Sequence, residues 1–161
     1  MQNAKDSFYM ALRTRLATLN PERTILLRGT TRPGIIAEEA EAPFGQLPND
    51  VYILRWTGLG VDVELASQMV AAECEIVYST VGTQAFGGLD RGRLLSAMDE
   101  EVDSILLPYS TPKMNYMTQP PTILLTQVFW EAPVFTPSVT LRDKISRSVK
   151  VTVYSYQEQG E

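Results

Sequence analysis

The chain contains no histidine. That removes Ser-His-Asp and Cys-His catalysis, zincin motifs and every histidine-containing zinc site together. Its one cysteine, Cys74, excludes an internal disulfide. Apolar runs are short, none near the ~20 residues that a membrane helix needs. The opening Met1-Gln-Asn-Ala-Lys-Asp6 is polar where a signal peptide would carry an apolar core. Basic charge is also scarce: 14 Lys and Arg stand against 19 Asp and Glu, a net charge of -5, which argues against a whole-chain DNA binder and direct nucleic-acid recognition. What is present is ordinary globular composition, 44% hydrophobic and 20% charged over 161 residues. The expectation is one soluble, cytoplasmic domain spanning 1–161, large enough to hold a core without disulfide or metal.

Charge is unevenly spread along the chain. Residues 1–34 carry Lys5, Arg13, Arg15, Arg23, Arg28 and Arg32 against Asp6 and Glu22, whereas 35–107 are strongly acidic. Such polarity reads either as solvated faces or as a contact between copies, basic surface to acidic surface.

Periodicity predicts two helices. Phe8, Leu12, Leu16 and Leu19 form one stripe over about 6–19, with Asp6 accepting from the first amides and Asn20-Pro21 as the stop. Leu95, Met98, Val102 and Ile105 form a second stripe over about 90–106, with Asp90 as N-cap and Pro108 beyond the end. Glu101 lies off that stripe, so Glu101→Ala is expected to change stability by less than about 0.5 kcal/mol. Strands are predicted at Thr24–Arg28, Ile35-Ile36, Asp50–Trp56, Glu73–Thr80 and Ser148–Tyr156. In the last of these Val149, Val151 and Val153 face one way and Lys150, Thr152 and Tyr154 the other. Gly29, Pro33, Gly34, Pro43, Gly45 and Pro48 mark a loop region. Residues 108–137 hold six of the ten prolines among several aromatic residues; they read as a long loop or extended arm around one apolar strand, Ile123–Trp130. The fold class is therefore α+β, a mostly antiparallel sheet flanked by two main helices.

Chemistry-bearing motifs fail one by one. Gly29-Thr-Thr-Arg-Pro-Gly34 has the glycine spacing of a phosphate loop, but Ile35-Ile36 stand where Lys and Ser/Thr are required. Gly58-Leu-Gly60 lacks the third glycine of a dinucleotide fingerprint and reads as a turn between strands. Cys74 lies between Glu73 and Glu75, which raise a thiol's pKa rather than activate it. Glu38, Glu39 and Glu41, and Asp99, Glu100, Glu101 and Asp103, are carboxylate clusters of the kind a small hydrolase would use. A helix with a buried stripe must show charge on its other face, which accounts for the second cluster, and neither cluster has a calcium-loop spacing. No catalytic residue, cofactor site or metal site is expected.

The segment Phe86-Gly-Gly-Leu-Asp-Arg-Gly-Arg93 is the most pointed one. Arg91 and Arg93 stand at a helix start, where the dipole disfavours cations, so they need another partner: acidic groups of their own chain or a neighbouring subunit.

The amphipathic N-terminal helix, the sparse strands, Gly87-Gly-Leu-Asp-Arg-Gly-Arg-Leu-Leu95 leading into the second helix, and the final Val153-Tyr-Ser-Tyr156 together resemble phage tail terminator (tail completion) proteins. The resemblance implies a small α+β domain without enzyme activity or cofactor. Its implied place is the virion tail: a hexameric ring, assembled in the host cytoplasm, that joins the tail tube to the neck. It implies partners in the tail tube and neck (head-completion) proteins, and none in a membrane. The bottom-up reading places Phe86, Asp90, Arg91, Arg93, Tyr116 and Trp130 at the contact between subunits, since aromatic residues and arginine are enriched at interface cores. Residues 108–137 exceed that pattern in length; another tail, neck or baseplate component is the alternative. A carboxylate hydrolase and a monomeric adaptor module are the readings from other classes.

Overall fold

Ala4, Phe8, Leu12 and Leu16 recur every fourth residue, and all are buried along one side of the first helix, α1 (Gln2–Leu19). The helix begins four residues before Asp6. Ala4 extends the apolar stripe back, and Asp6 accepts from the Gln2 side chain one turn earlier instead of capping the helix. Leu19 falls outside the stripe and is half exposed. The computed structural model describes residues 1–41, 48–62 and 68–158; the loop markers Pro43 and Gly45 lie outside them.

After Pro21 come β1 (Thr24–Leu27) and β2 (Thr30–Pro33), a two-stranded hairpin with Leu27 opposite Thr30. The two turn residues, Arg28 and Gly29, both have positive φ, 48° and 78°. That is the turn whose twist suits a tight hairpin, and glycine supplies one position without strain. The glycine pair that mimics a phosphate loop thus brackets a strand that was not predicted. β3 (Ile35–Ala37) and the short α2 (Glu38–Glu41) follow.

The main sheet is built from β4 (Tyr52–Asp62), β5 (Met69–Thr80), β6 (Ser110–Asn115), β7 (Thr122–Trp130), β8 (Val134–Phe135), β9 (Val139–Leu141) and β10 (Lys144–Tyr156), together with β3. Its order is β3-β4-β5-β10-β7-β6, with β8 and β9 also paired to β10. Only the β3–β4 pair is parallel, so the α+β expectation with a mostly antiparallel sheet is met; the sheet is strongly curled. Between β5 and β7 stands the second long helix, α3 (Arg91–Leu106).

One face of the sheet carries Tyr52, Leu54, Cys74, Ile76, Tyr78, Val128, Trp130, Val149, Val151 and Val153, all buried. Against it pack Phe8, Leu12 and Leu16 from α1 and Leu95, Met98, Val102 and Ile105 from α3 in one continuous core. The predicted stripe of α3 is buried at every one of its four positions.

Two readings of the chain are corrected here. Gly58-Leu-Gly60 is not a turn; it lies within β4, where a register shift between Trp56 and Gly58 marks a bulge. A Cβ on Gly58 would come within 2.8 Å of the Glu73 carboxylate, so the glycine admits a close cross-strand neighbour. The predicted apolar strand Ile123–Trp130 is present as β7, but the rest of 108–137 is not a loop or arm, since it also contains β6 and β8. Strand β7 sits between β10 and β6 inside the sheet. The prolines punctuate these strands without abolishing them. Pro112 is on the outermost strand at a register shift, and Pro120-Pro121 occupy the β6–β7 connection. There a missing N–H costs the ladder little.

Candidate subunit interface

The segment leading into α3 owes its shape to three glycines. Gly82, Gly87 and Gly88 all have positive φ, and a Cβ on Gly82 would lie 2.6 Å from the Gly88 Cα. Larger residues are sterically excluded from this crossing. Asp90 stands at the N-cap position but makes no side-chain bond to the helix. Its carboxylate instead accepts from the Thr83 amide (2.8 Å) and the Thr83 hydroxyl (2.7 Å), closing the loop on itself. These bonds, with a smaller contribution from the Arg93 charge, hold its pKa below the ordinary carboxylate value. The closed loop presents Phe86 and Leu89 to solvent.

The two arginines part company. Arg91 donates from Nη1 to the Asp143 carbonyl at 3.1 Å, in the β9–β10 turn of its own chain. That accounts for one cation at an unfavourable helix end. Arg93 is exposed beside Asp90. Tyr116 is half buried in the β6–β7 connection.

Trp130 is not at the surface. Only 4% of it is exposed; its indole N–H donates to the Leu106 carbonyl at 2.9 Å, and its ring meets Phe8 edge-on at 5.0 Å. The Arg15 guanidinium lies 5.3 Å from the ring centroid. It donates to the carbonyls of Ile105, Pro108 and Ser110, tying α1 to the end of α3 and the start of β6. Trp130 therefore belongs to the core and not to a contact between subunits, because its alternation with Val128 puts it on the inner face of β7.

The same alternation puts Ile123 and Leu125 on the outer face, and they are 72% and 97% exposed; Met117 in the adjoining turn is 91% exposed. Ile123–Trp130 was read as a strand, but its two faces were not assigned, so these residues were not singled out. Counting back by twos from Phe129, the neighbour of Trp130 on the opposite face, reaches them. Pairing of β7 with β10 ends at Val128, opposite Ser155. The six residues Thr122–Gln127 run on past it, roughly 20 Å at strand spacing. Glu158 holds the first part of this extension through the Thr126 amide. Phe129, Tyr154 and Tyr156 continue the outer face as a ring cluster.

The basic N-terminal segment and acidic middle meet within one chain. Lys5 pairs with Glu39, Arg23 with Glu101 and Arg32 with Glu41. Much of the charge polarity is thereby spent inside the subunit rather than between copies. Members of both carboxylate clusters are likewise engaged. Glu41 accepts from the Tyr9 hydroxyl at 2.8 Å; burial, first, and then this bond push the phenol up to about 12. Asp99 takes the Tyr78 hydroxyl and faces Arg147. Glu101 is not on a solvated face. It accepts from Arg23, from Asn20 and from the buried Tyr52 hydroxyl. Burial raises its pKa, but the bonds from Arg23 and Asn20 and the guanidinium charge outweigh that and leave it lowered.

Cys74 is buried on the inner face, and burial pushes its thiol far above the ordinary range. Behind it, on the outer face, a groove of about 420 Å³ is lined by Glu73, Glu75, Glu131 and Lys150. Glu75 is bound by Arg55, and Glu131 accepts from the Tyr154 hydroxyl. Among the described residues no cluster of carboxylate or thiol groups is arranged to hold a metal ion. No protein-family model matches the chain, and no curated protein resembles it in sequence.

Proposed function

We propose that the chain is a structural virion protein, a ring-forming tail terminator that ends a phage tail tube and joins it to the neck. The observation that carries this reading is apolar surface placed where it serves no subunit of its own. Met117, Ile123 and Leu125 stand almost bare on a projecting hairpin, while Phe86, Leu89, Val139 and Leu141 are exposed elsewhere. Monomeric soluble proteins rarely leave contiguous apolar surface in water; such surface marks sites of association. Of the carboxylates that a hydrolase would use, Glu41, Asp99 and Glu101 are instead bound to arginines and tyrosines that hold the helices to the sheet. In this reading six copies close into a ring, Arg93 and the Phe86–Leu89 loop line the contacts between subunits, and the ring seats on the tube end. Adding the purified protein to tail tubes polymerised from the corresponding tube protein tests it. Capped tube ends, seen in negative stain, are expected. Tubes that stay open and keep elongating would overturn the terminator assignment.

A further inference from the structure

Resting on the ring reading, we propose that copies join head to tail, the β6–β7 hairpin of one lying on the β8–β9 segment of the next. One residue in five of this chain is charged, yet 114–130 contain no charged residue, and neither do 132–141. The first stretch presents Met117, Ile123 and Leu125; the second presents Val134, Val139 and Leu141, each at least 60% exposed. These are two uncharged apolar surfaces on the main sheet, and they match in chemistry.

Their placement forbids contact within one chain. Strand β9 pairs with the beginning of β10, at Lys144–Ser146, and β7 with its end, at Val153–Ser155. Nine residues of β10 separate Ile145 from Tyr154, roughly 30 Å at strand spacing, and the hairpin points away from β9. Two unlike patches at opposite ends of a subunit make a heterologous contact, which closes into a ring when the rotation permits. Pairing hairpin with hairpin would leave β8–β9 bare, whereas the head-to-tail contact covers both. A lipid or nucleic-acid partner would call for cations beside the apolar groups. The hairpin offers only Lys113, which is buried with its ammonium on the Tyr156 carbonyl.

The test uses two double variants of the whole chain, Ile123→Glu/Leu125→Glu and Val139→Glu/Leu141→Glu. All four positions are exposed, so circular dichroism and melting should match the wild type. Light scattering is expected to show each variant alone at the 18.0 kDa mass of one chain. Mixed in equal amounts, they should form a dimer and nothing larger, because each supplies the one surface that the other lacks. A mixture that stays monomeric, or variants that still form wild-type rings, would overturn the head-to-tail pairing while leaving the ring reading in place. A wild-type chain that is itself monomeric would remove both. Flotation of the wild type with phosphatidylcholine vesicles would show the hairpin to be a lipid contact and overturn the pairing as well.

Discussion

Replacing Glu101 by alanine removes the acceptor at the centre of a polar cluster joining α1, β4 and α3. Its carboxylate takes hydrogen bonds from two nitrogens of Arg23, from the Asn20 amide at 2.8 Å and from the Tyr52 hydroxyl at 2.9 Å. The side chains of Arg23 and Glu101 are each 15% exposed. Breaking a buried ion pair by deleting one partner costs about 3–5 kcal/mol, because the other charge stays behind without compensation. Some of that is recovered here. Arg23 keeps the Asp50 carbonyl at 2.8 Å and its position over the Tyr52 ring, and water reaches its exposed fraction. A loss of about 2–3 kcal/mol is expected for Glu101→Ala, a fall in Tm of roughly 5–10 °C for a domain of this size. Denaturant midpoints of wild type, Glu101→Ala, Tyr52→Phe and the double variant, at one protein concentration, measure it; the coupling between the two sites should reach at least about 0.5 kcal/mol. The pH arm has a definite sign. Glu101 titrates lower in the folded chain than the roughly 4.3 of a free glutamate. Its contribution is thus fully present above that value and is lost as pH falls through the lower folded pKa. The gap between wild type and Glu101→Gln should narrow over that acid range. A Glu101→Ala variant within about 0.5 kcal/mol of wild type at pH 7, as a solvated helix face would give, refutes the reasoning.

Met98→Ala should cost about 2–5 kcal/mol, since the side chain is fully buried between α3 and the sheet; Glu100→Ala, on the exposed side, should stay within about 0.5 kcal/mol. Equal shifts in denaturant midpoint would mean that the facing of α3 is wrong. Trp130→Ala should cost about 3–5 kcal/mol in monomer stability, as loss of a core ring and of its bond to Leu106 requires. A stable but dissociated Trp130→Ala protein would return that residue to the interface. Cys74 should react with a disulfide reagent only as fast as the chain opens, because its thiol is buried and held protonated. Rapid labelling of the native protein would contradict its position on the inner face.

How much of this was legible beforehand follows from the range of each signal. The α3 stripe and the alternation of β10 are local periodicities, and both were read with the correct faces. The β1–β2 hairpin was missed because its turn, Arg28-Gly29, places a non-glycine residue at positive φ, so no standard pair of turn residues announces it. Outside the correctly read strand Ile123–Trp130, residues 108–137 were misread because proline was taken as a bar to sheet structure. In the fold the prolines fall on the outer strand and in connections. The roles of Arg15, Arg23 and Glu101 depend on partners more than 75 residues away in the chain, beyond the reach of any pattern along it. For the same reason the pairing of basic with acidic segments inside one chain was not foreseen; the polarity was read as solvated faces or as a contact between copies. Of the six residues assigned to the interface, Trp130 is buried in the core of its own chain, whereas Ile123 and Leu125 on the opposite face of the same strand are exposed.

The measurement that bears most directly on the central claim is the native mass of the purified chain by multi-angle light scattering at micromolar concentration. The account predicts about six times the 18.0 kDa of one chain. Because the proposed contacts are apolar, that mass should persist at about 0.5 M salt, where screening dissolves contacts made by exposed charges alone. A single species at one chain mass, unchanged up to the highest concentration measured, would contradict it.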